Sequence, residues 1–140
     1  MTETQQRAEQ IVAAMRAKDE FSRWLGVEVA EVGLARCVCH MVVRSEMVNG
    51  FGVAHGGIVF SLADSAFAFA CNTQGRIAMS IENAITYPMP VNPGDRLTAV
   101  ASEESASRRL GFYRVDVANQ RGETVALFRG TAYKTSQEHP

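Results

Sequence analysis

The chain has 140 residues, 46% of them hydrophobic and 21% charged, with 14 Lys+Arg against 15 Asp+Glu for a formal net charge of -1. A chain of this length buries about two-thirds of its unfolded surface, so one core can form without disulfides or a structural metal. The near-neutral balance lacks the concentrated basic face of a nucleic-acid binder, and the composition excludes disordered, collagen-like and coiled-coil chains.

Residues 1–10 are polar, with no apolar stretch behind a basic start, so no secretory signal is read there and the chain is expected in the cytoplasm. Within 1–25, residues 4–25 read as one amphipathic N-terminal helix. Ile11, Val12, Met15, Phe21, Trp24 and Leu25 recur at helical spacing among charged residues, and Gly26 stops the run. Residues 27–43 alternate and are rich in valine, with Gly33 interrupting, which predicts two strands joined by a tight turn. Cys37, Cys39 and Cys71 have no metal-ligand spacing and read as buried reduced thiols, the first two pointing to one face of their strand. Asn49-Gly50-Phe51-Gly52-Val53-Ala54 reads as a loop.

Residues 55–72 combine helix-favouring Ala and Leu with His55-Gly56-Gly57 at the start and Asn72 at the end. Apart from Asp64, Ser61 and Ser65 the segment is apolar all round, the pattern of a helix buried on every side. Its apolar run, 58–71, is too short to span a bilayer and carries Asp64, so no membrane contact is expected. Strand-like stretches follow at 78–87, 96–105, 111–119 and 124–134, divided by the turn residues Asn92-Pro93-Gly94-Asp95, 108–110 and Asn119-Gln120-Arg121-Gly122. Residues 135–140, with His139, are expected to be a flexible tail. No repeat or linker divides the chain, so 1–140 reads as one domain. The order predicts an α+β fold in which a curved antiparallel β-sheet wraps around a central buried α-helix, with the N-terminal helix added to it.

Asp64 is the chemical anomaly. A carboxylate in the middle of an apolar helix costs several kcal/mol unless it is paired or protonated, and no Lys or Arg lies within a turn of it. It could face a water-filled gap or bond to Ser61 or Ser65; an unpaired buried acid is also what a base or nucleophile requires. His55-Gly56-Gly57 opens the helix with unpaired N–H groups and the positive end of the dipole, a place for an anion or a developing oxyanion. The same glycines could simply mark a close helix–sheet approach. From Gly56 to Asp64 the helix rises about 12 Å, whereas reacting atoms must come within about 3.5 Å. A carbonyl held at the Gly56 N–H is therefore out of reach of Asp64 in the same chain. Two such helices antiparallel across a two-fold axis bring each Gly56 beside the other's Asp64, so a catalytic role implies a dimer.

Asn49 and Ser80 could orient a water or the carboxylate, and Phe51, Val53 and Phe60 are expected pocket walls. Arg108 and Arg109 are a basic spot in a turn that could meet phosphates or be solvated. No Gly-x-Ser-x-Gly elbow, phosphate loop, dinucleotide fingerprint or His-Glu-x-x-His is present, and no metal or cofactor is expected.

The run Asn49-Gly50, His55-Gly56-Gly57, Phe60-Ser61-Leu62-Ala63-Asp64, Ala66-Phe67-Ala68 and Ala70-Cys71-Asn72, with Thr124-Val125-Ala126-Leu127-Phe128-Arg129-Gly130 further on, resembles the PaaI-type hotdog-fold thioesterases of phenylacetate degradation over residues 20–134. The resemblance implies the hotdog fold, hydrolysis of aryl acyl-CoA thioesters of the hydroxyphenylacetyl-CoA or phenylacetyl-CoA class, and a homotetramer built as a dimer of dimers. It implies Asp64 as nucleophile or general base, the Gly56 N–H as the group polarising the carbonyl, and orienting roles for Asn49 and His55. Substrate contacts are expected at Gly57, Ser80, Phe60, Arg108, Arg109 and Gly111. Met89-Pro90 stands where many relatives have Arg-Pro, and Ala68 stands one turn after the acid where another aryl-CoA branch has Thr after Glu. Other readings of the fold are an enoyl-CoA hydratase or dehydratase, which normally needs a catalytic His with an acidic partner, and an acyl-CoA binder without turnover.

Overall fold

Thr2 opens the first helix, α1 (Glu3–Lys18): its hydroxyl accepts from the Gln5 N–H at 3.1 Å, with Glu3 in the first turn and Arg16 and Lys18 in the last. Where the spacing predicts one helix over 4–25, the computed structural model, which describes residues 1–140, has two. Asp19 leaves helical geometry, and its carboxylate accepts from the Ser22 N–H at 3.0 Å and the Ser22 hydroxyl at 2.6 Å, capping α2 (Glu20–Leu25). A short acidic side chain that satisfies the free N–H groups of a new helix start competes with continuing the old helix, and apolar spacing does not register that competition. Gly26, at φ 82, closes α2. Ser22 shares a 2.7 Å hydrogen bond with Ser65 and fastens α2 to the central helix.

β1 (Glu28–Gly33) and β2 (Arg36–Val42) form the expected hairpin. The central helix α3 (Gly56–Cys71) follows, and then β3 (Arg76–Thr86), β4 (Arg96–Ala106), β5 (Leu110–Ala118) and β6 (Thr124–Glu138). All six strands make one antiparallel sheet in the order β1-β2-β4-β5-β6-β3. It curls so that five of its strands touch α3, which is the expected hotdog arrangement. Where the helix comes close, the inward side chains are small or slender: Cys37 and Cys39 of β2, Ala99 and Ala101 of β4, Val115 and Val117 of β5, all buried. Ala63, Ala66 and Ala70 of α3 are equally buried, and Phe67 packs on Tyr113 and Phe128 at centroid distances of 5.4 and 5.8 Å. The thiols of Cys37 and Cys39 lie 3.8 Å apart, and all three cysteines are free and buried. No helix is long and apolar enough to cross a membrane.

Three details depart from the expectations. First, α3 is not buried on every side. Gly57, Ser61, Asp64 and Ala68, which share one stripe at helical spacing, are only half-buried or exposed. Second, 135–140 is no flexible tail. β6 continues to Glu138, which pairs with Arg76; the His139 N–H donates to the Gly75 carbonyl at 2.8 Å, and Arg7 holds the Pro140 carbonyl. Ladder hydrogen bonds require backbone alone, so this polar end pairs without the apolar alternation that marks a strand.

Third, β3 carries a bulge at Ile81. Ser80 lies opposite Ala132 and Glu82 opposite Thr131, so one residue is left over. In an unbroken strand Ser80 and Asn83 would face opposite ways; the extra residue puts both on one side, Ser80 exposed and Asn83 half-buried toward α3. Asn83 then lies opposite Gly130, where an added Cβ would sit 2.7 Å from Phe67 Cε2 and 2.9 Å from Asn83 Oδ1. Gly130→Ala is expected to lower the stability by about 1–3 kcal/mol through overpacking. Urea denaturation checks it, as a lower midpoint at unchanged slope.

Candidate active site

The N-terminus of α3 is built by a short loop. Val48 bridges Ala54, the Asn49 side-chain carbonyl accepts from the Phe51 N–H at 2.9 Å, and the His55 N–H donates to the Met47 carbonyl at 2.8 Å. His55 is the residue capping the helix: its Nδ1 accepts from the Gly57 N–H at 3.2 Å and its carbonyl from the Ile58 N–H at 2.9 Å. The Gly57 N–H is thereby occupied and is not the free donor the sequence suggests. The Gly56 N–H makes no hydrogen bond within the chain, leaving one donor at the positive end of a helix dipole. Tyr87, which no motif marks, donates its hydroxyl to the Gly56 carbonyl at 2.7 Å. A Cβ on Gly56 would lie 3.2 Å from that hydroxyl, so glycine here serves close approach.

Asp64 sits on the open stripe of α3, half-buried. Neither Ser61 nor Ser65 bonds to it: Ser61 donates to the Gly57 carbonyl at 2.7 Å and Ser65 is taken by Ser22. Its partner is Asn83, whose Nδ2 reaches Asp64 Oδ1 at 3.4 Å. Ser80 donates to Asn83 Oδ1 at 2.9 Å and so orients that amide with its N–H toward the acid. Ser80 therefore acts on Asp64 through Asn83, a residue that sequence alternation places on the wrong face because the bulge is invisible to it. Burial pushes the Asp64 carboxyl above the ordinary carboxylate range, and the charge of Asp19 adds to this. A carboxylate with a raised proton affinity and a single weak hydrogen bond is a competent base or nucleophile.

The other expected contacts disperse. Phe51 is 93% exposed on the chain's surface, and Phe60 packs edge-on against Phe128 at 5.4 Å, on the core. Val53 does line a cleft of about 290 Å³, with Gly56, Tyr87 and Met89. Arg108 and Arg109 lie at the β4–β5 turn, where Arg76 binds the Arg108 carbonyl and Arg109 donates to the Tyr133 hydroxyl at 3.3 Å. Arg76 and Asn83 are both on β3, roughly 20 Å apart along the strand, so this corner is far from Asp64 of the same chain. Gly111 is buried there: a Cβ would come 2.9 Å from the Tyr113 ring, which makes it a packing glycine. No group of three His, Cys, Asp or Glu side chains gathers where it could hold a metal.

Residues 51–126 match the family model described as the thioesterase superfamily. The chain is 38% identical over 128 residues, 91% of each chain, to the acyl-coenzyme A thioesterase PaaI of Escherichia coli. The structure of the E. coli PaaI protein superposes with a TM-score of 0.94 at 36% identity, covering 96% of this chain and 98% of that one. Human acyl-coenzyme A thioesterase 13 is 29% identical over 137 residues, 95% of this chain and 98% of its own. A hypothetical thioesterase from Streptococcus pneumoniae, solved with coenzyme A, superposes with a TM-score of 0.77 at 25% identity, covering 81% and 88% of the two chains.

Because the folded chain holds the Asp64 proton more tightly than the unfolded chain does, stability falls as pH rises from the unfolded carboxylate value through the raised folded one. Asp64→Asn is accordingly expected to be more stable than the parent at neutral pH, with the difference vanishing in acid below about pH 4. Urea midpoints measured across that range check the sign.

Proposed function

This chain belongs to the thioesterase superfamily and is an acyl-CoA thioesterase, and on that basis we propose that it hydrolyses aryl acyl-CoA thioesters of the phenylacetyl-CoA and hydroxyphenylacetyl-CoA class, in the cytoplasm, as a homo-oligomer. The observation that carries the reading is the pairing on one helix of an unbonded N–H at Gly56 with a half-buried, proton-avid Asp64. The two groups are about 12 Å apart along α3, so the site is read as composite: Asp64 of one subunit with the Gly56 N–H of the partner subunit, related by a two-fold axis that sets the helices antiparallel. The open stripe of Gly57, Ser61, Asp64 and Ala68 favours such a neighbour, as does the unpaired edge of β3 with Met79 and Ile81 exposed. A tetramer would add a second such dimer.

The thioester carbonyl oxygen accepts from the Gly56 N–H, which stabilises the negative charge that develops as the carbon becomes tetrahedral, a contribution of about 2.7–4 kcal/mol for one such donor. Asp64 supplies the push in one of two ways. Its carboxylate oxygen attacks the carbon, expelling the CoA thiolate and leaving a mixed anhydride that water opens, or it takes a proton from a water that attacks directly. Ser80 and Asn83 hold the carboxylate in aim. His55 contributes by capping the helix that presents Gly56, and Asn49 by folding the loop that carries His55. A hydratase reading draws less support, since the His55 ring bonds through Nδ1 to a backbone N–H and not to a carboxylate.

Asp64→Asn is expected to cut kcat by about 10²–10⁴-fold without loss of folding; thiol release from a panel of phenylacetyl, hydroxyphenylacetyl, benzoyl and linear acyl-CoA substrates measures it. Turnover near the parent level in that variant would sink the assignment of Asp64. A single turnover in labelled water separates the two routes, because label entering Asp64 marks the anhydride. In Asn83→Leu the charged form of Asp64 loses its hydrogen bond, so the acidic limb of kcat/KM is expected to move to higher pH. An unmoved limb, with activity otherwise reduced, would leave Asn83 a packing role only.

A further inference from the structure

Beside the N-terminus of α3 lies a cleft of about 330 Å³, within the range of small-molecule sites, between Phe21 and Trp24 of α2 on one side and His55, Gly57, Ile58 and Ser61 on the other. Gly57 and Ser61 belong to the open stripe that carries Asp64, and His55 and Gly57 flank Gly56, so the cleft adjoins the helix start assigned to the thioester carbonyl. Its aromatic wall is unusual for a single chain's surface. Phe21 and Trp24 are 55% and 53% exposed, yet their rings stack at 6.0 Å with an interplanar angle of 18°.

That pair is also held in place. The Arg44 guanidinium lies 5.1 Å from the centroid of the Trp24 ring while donating to the Trp24 and Leu25 carbonyls at 2.8 and 3.1 Å. Ser22, between the two aromatics, anchors the same helix to Ser65, next to Asp64. Two large aromatic side chains kept in water at fixed orientation contribute little to the core, and exposed apolar surface of this kind marks a binding face.

We propose that this cleft is the subsite for the acyl group, with Phe21 and Trp24 stacking on the ring of an aryl acyl chain while its carbonyl lies at the Gly56 N–H; this rests on the thioesterase reading above. The acyl ring suits this cleft because Phe21 and Trp24 offer flat apolar faces and Glu46 is the one carboxylate of the lining, whereas the pantetheine arm of CoA carries two amides that need hydrogen-bond partners. Stacking needs a flat apolar partner, so the pair would discriminate aryl from short linear acyl groups.

The chain's one tryptophan makes the test direct. Asp64→Asn enzyme is titrated with phenylacetyl-CoA, butyryl-CoA and free CoA while Trp24 emission is followed, and kcat/KM for the two thioesters is measured in the parent, in the double variant F21A/W24A and in Trp24→Phe. The expected result is a saturable emission change with phenylacetyl-CoA that free CoA does not reproduce. The aryl-to-linear ratio of kcat/KM is expected to fall roughly tenfold in the double variant and to be kept in Trp24→Phe. The proposal is overturned by an unchanged ratio in the double variant, by an emission change that free CoA reproduces in full, which would give the cleft to the CoA arm, or by no emission change at all. If the parent enzyme releases CoA from no thioester, the function reading fails first and the subsite falls with it; release with an unchanged ratio leaves that reading standing and removes the subsite alone.

Discussion

A helix made almost wholly of Ala, Phe, Leu and Val has to be taken out of water, and the sheet is shaped by that requirement. Leu62, Phe67 and Phe69 are fully buried, and each such side chain contributes about 1.5–3 kcal/mol when its surface leaves water. The helix can sit this deep because Ala63, Ala66 and Ala70 on its buried surface are small, as are Ala99, Ala101, Cys37 and Cys39 on the strands it packs against. Bulk at those points would push the helix out and open the ladder. The remaining volume is closed by the aromatic contacts of Phe67 with Tyr113 and Phe128, and Gly130 has no side chain because that cluster leaves no room for one.

The sheet covers every face of the helix but one, and the polar groups collect on that face. Asp64 lies where burial is enough to raise its proton affinity and not enough to demand an ion pair. Its charge works against stability at neutral pH, and the surrounding packing offsets that cost. The elements bordering the open face are pinned by polar contacts as well as by apolar burial: α2 by Ser22 to Ser65, β3 by Asn72 to the Ala78 backbone, and the helix start by Tyr87 to the Gly56 carbonyl. Directional bonds of this kind set orientation where non-directional apolar contacts do not.

Most of the architecture was legible in the residues. The apolar run after His55-Gly56-Gly57 marks the central helix, the turn residues divide the strands, and an acid without a cation in that run marks the chemical anomaly, although the run itself predicts burial of the open stripe around it. The errors share a cause. The break at Asp19 comes from a side chain that caps a new helix, the extension of β6 to Glu138 from backbone pairing that needs no apolar pattern, and the inward turn of Asn83 from one extra residue in β3. Arg108 and Arg109 lie in the expected turn, and Gly111 beside it packs against the Tyr113 ring, a corner of the chain well away from Asp64 of the same subunit.

From the sequence alone came the order of elements, the helix at the centre, the acid in its middle and the glycine at its start, because periodicity and capping chemistry act along a single element. Which side chains meet Asp64, which carbonyl Tyr87 reaches, and how Phe21 and Trp24 stand beside the α3 N-terminus were decided only in the tertiary structure. Those contacts run between elements, and their partners depend on ladder register and on one bulge, which hydrogen bonds from other strands determine.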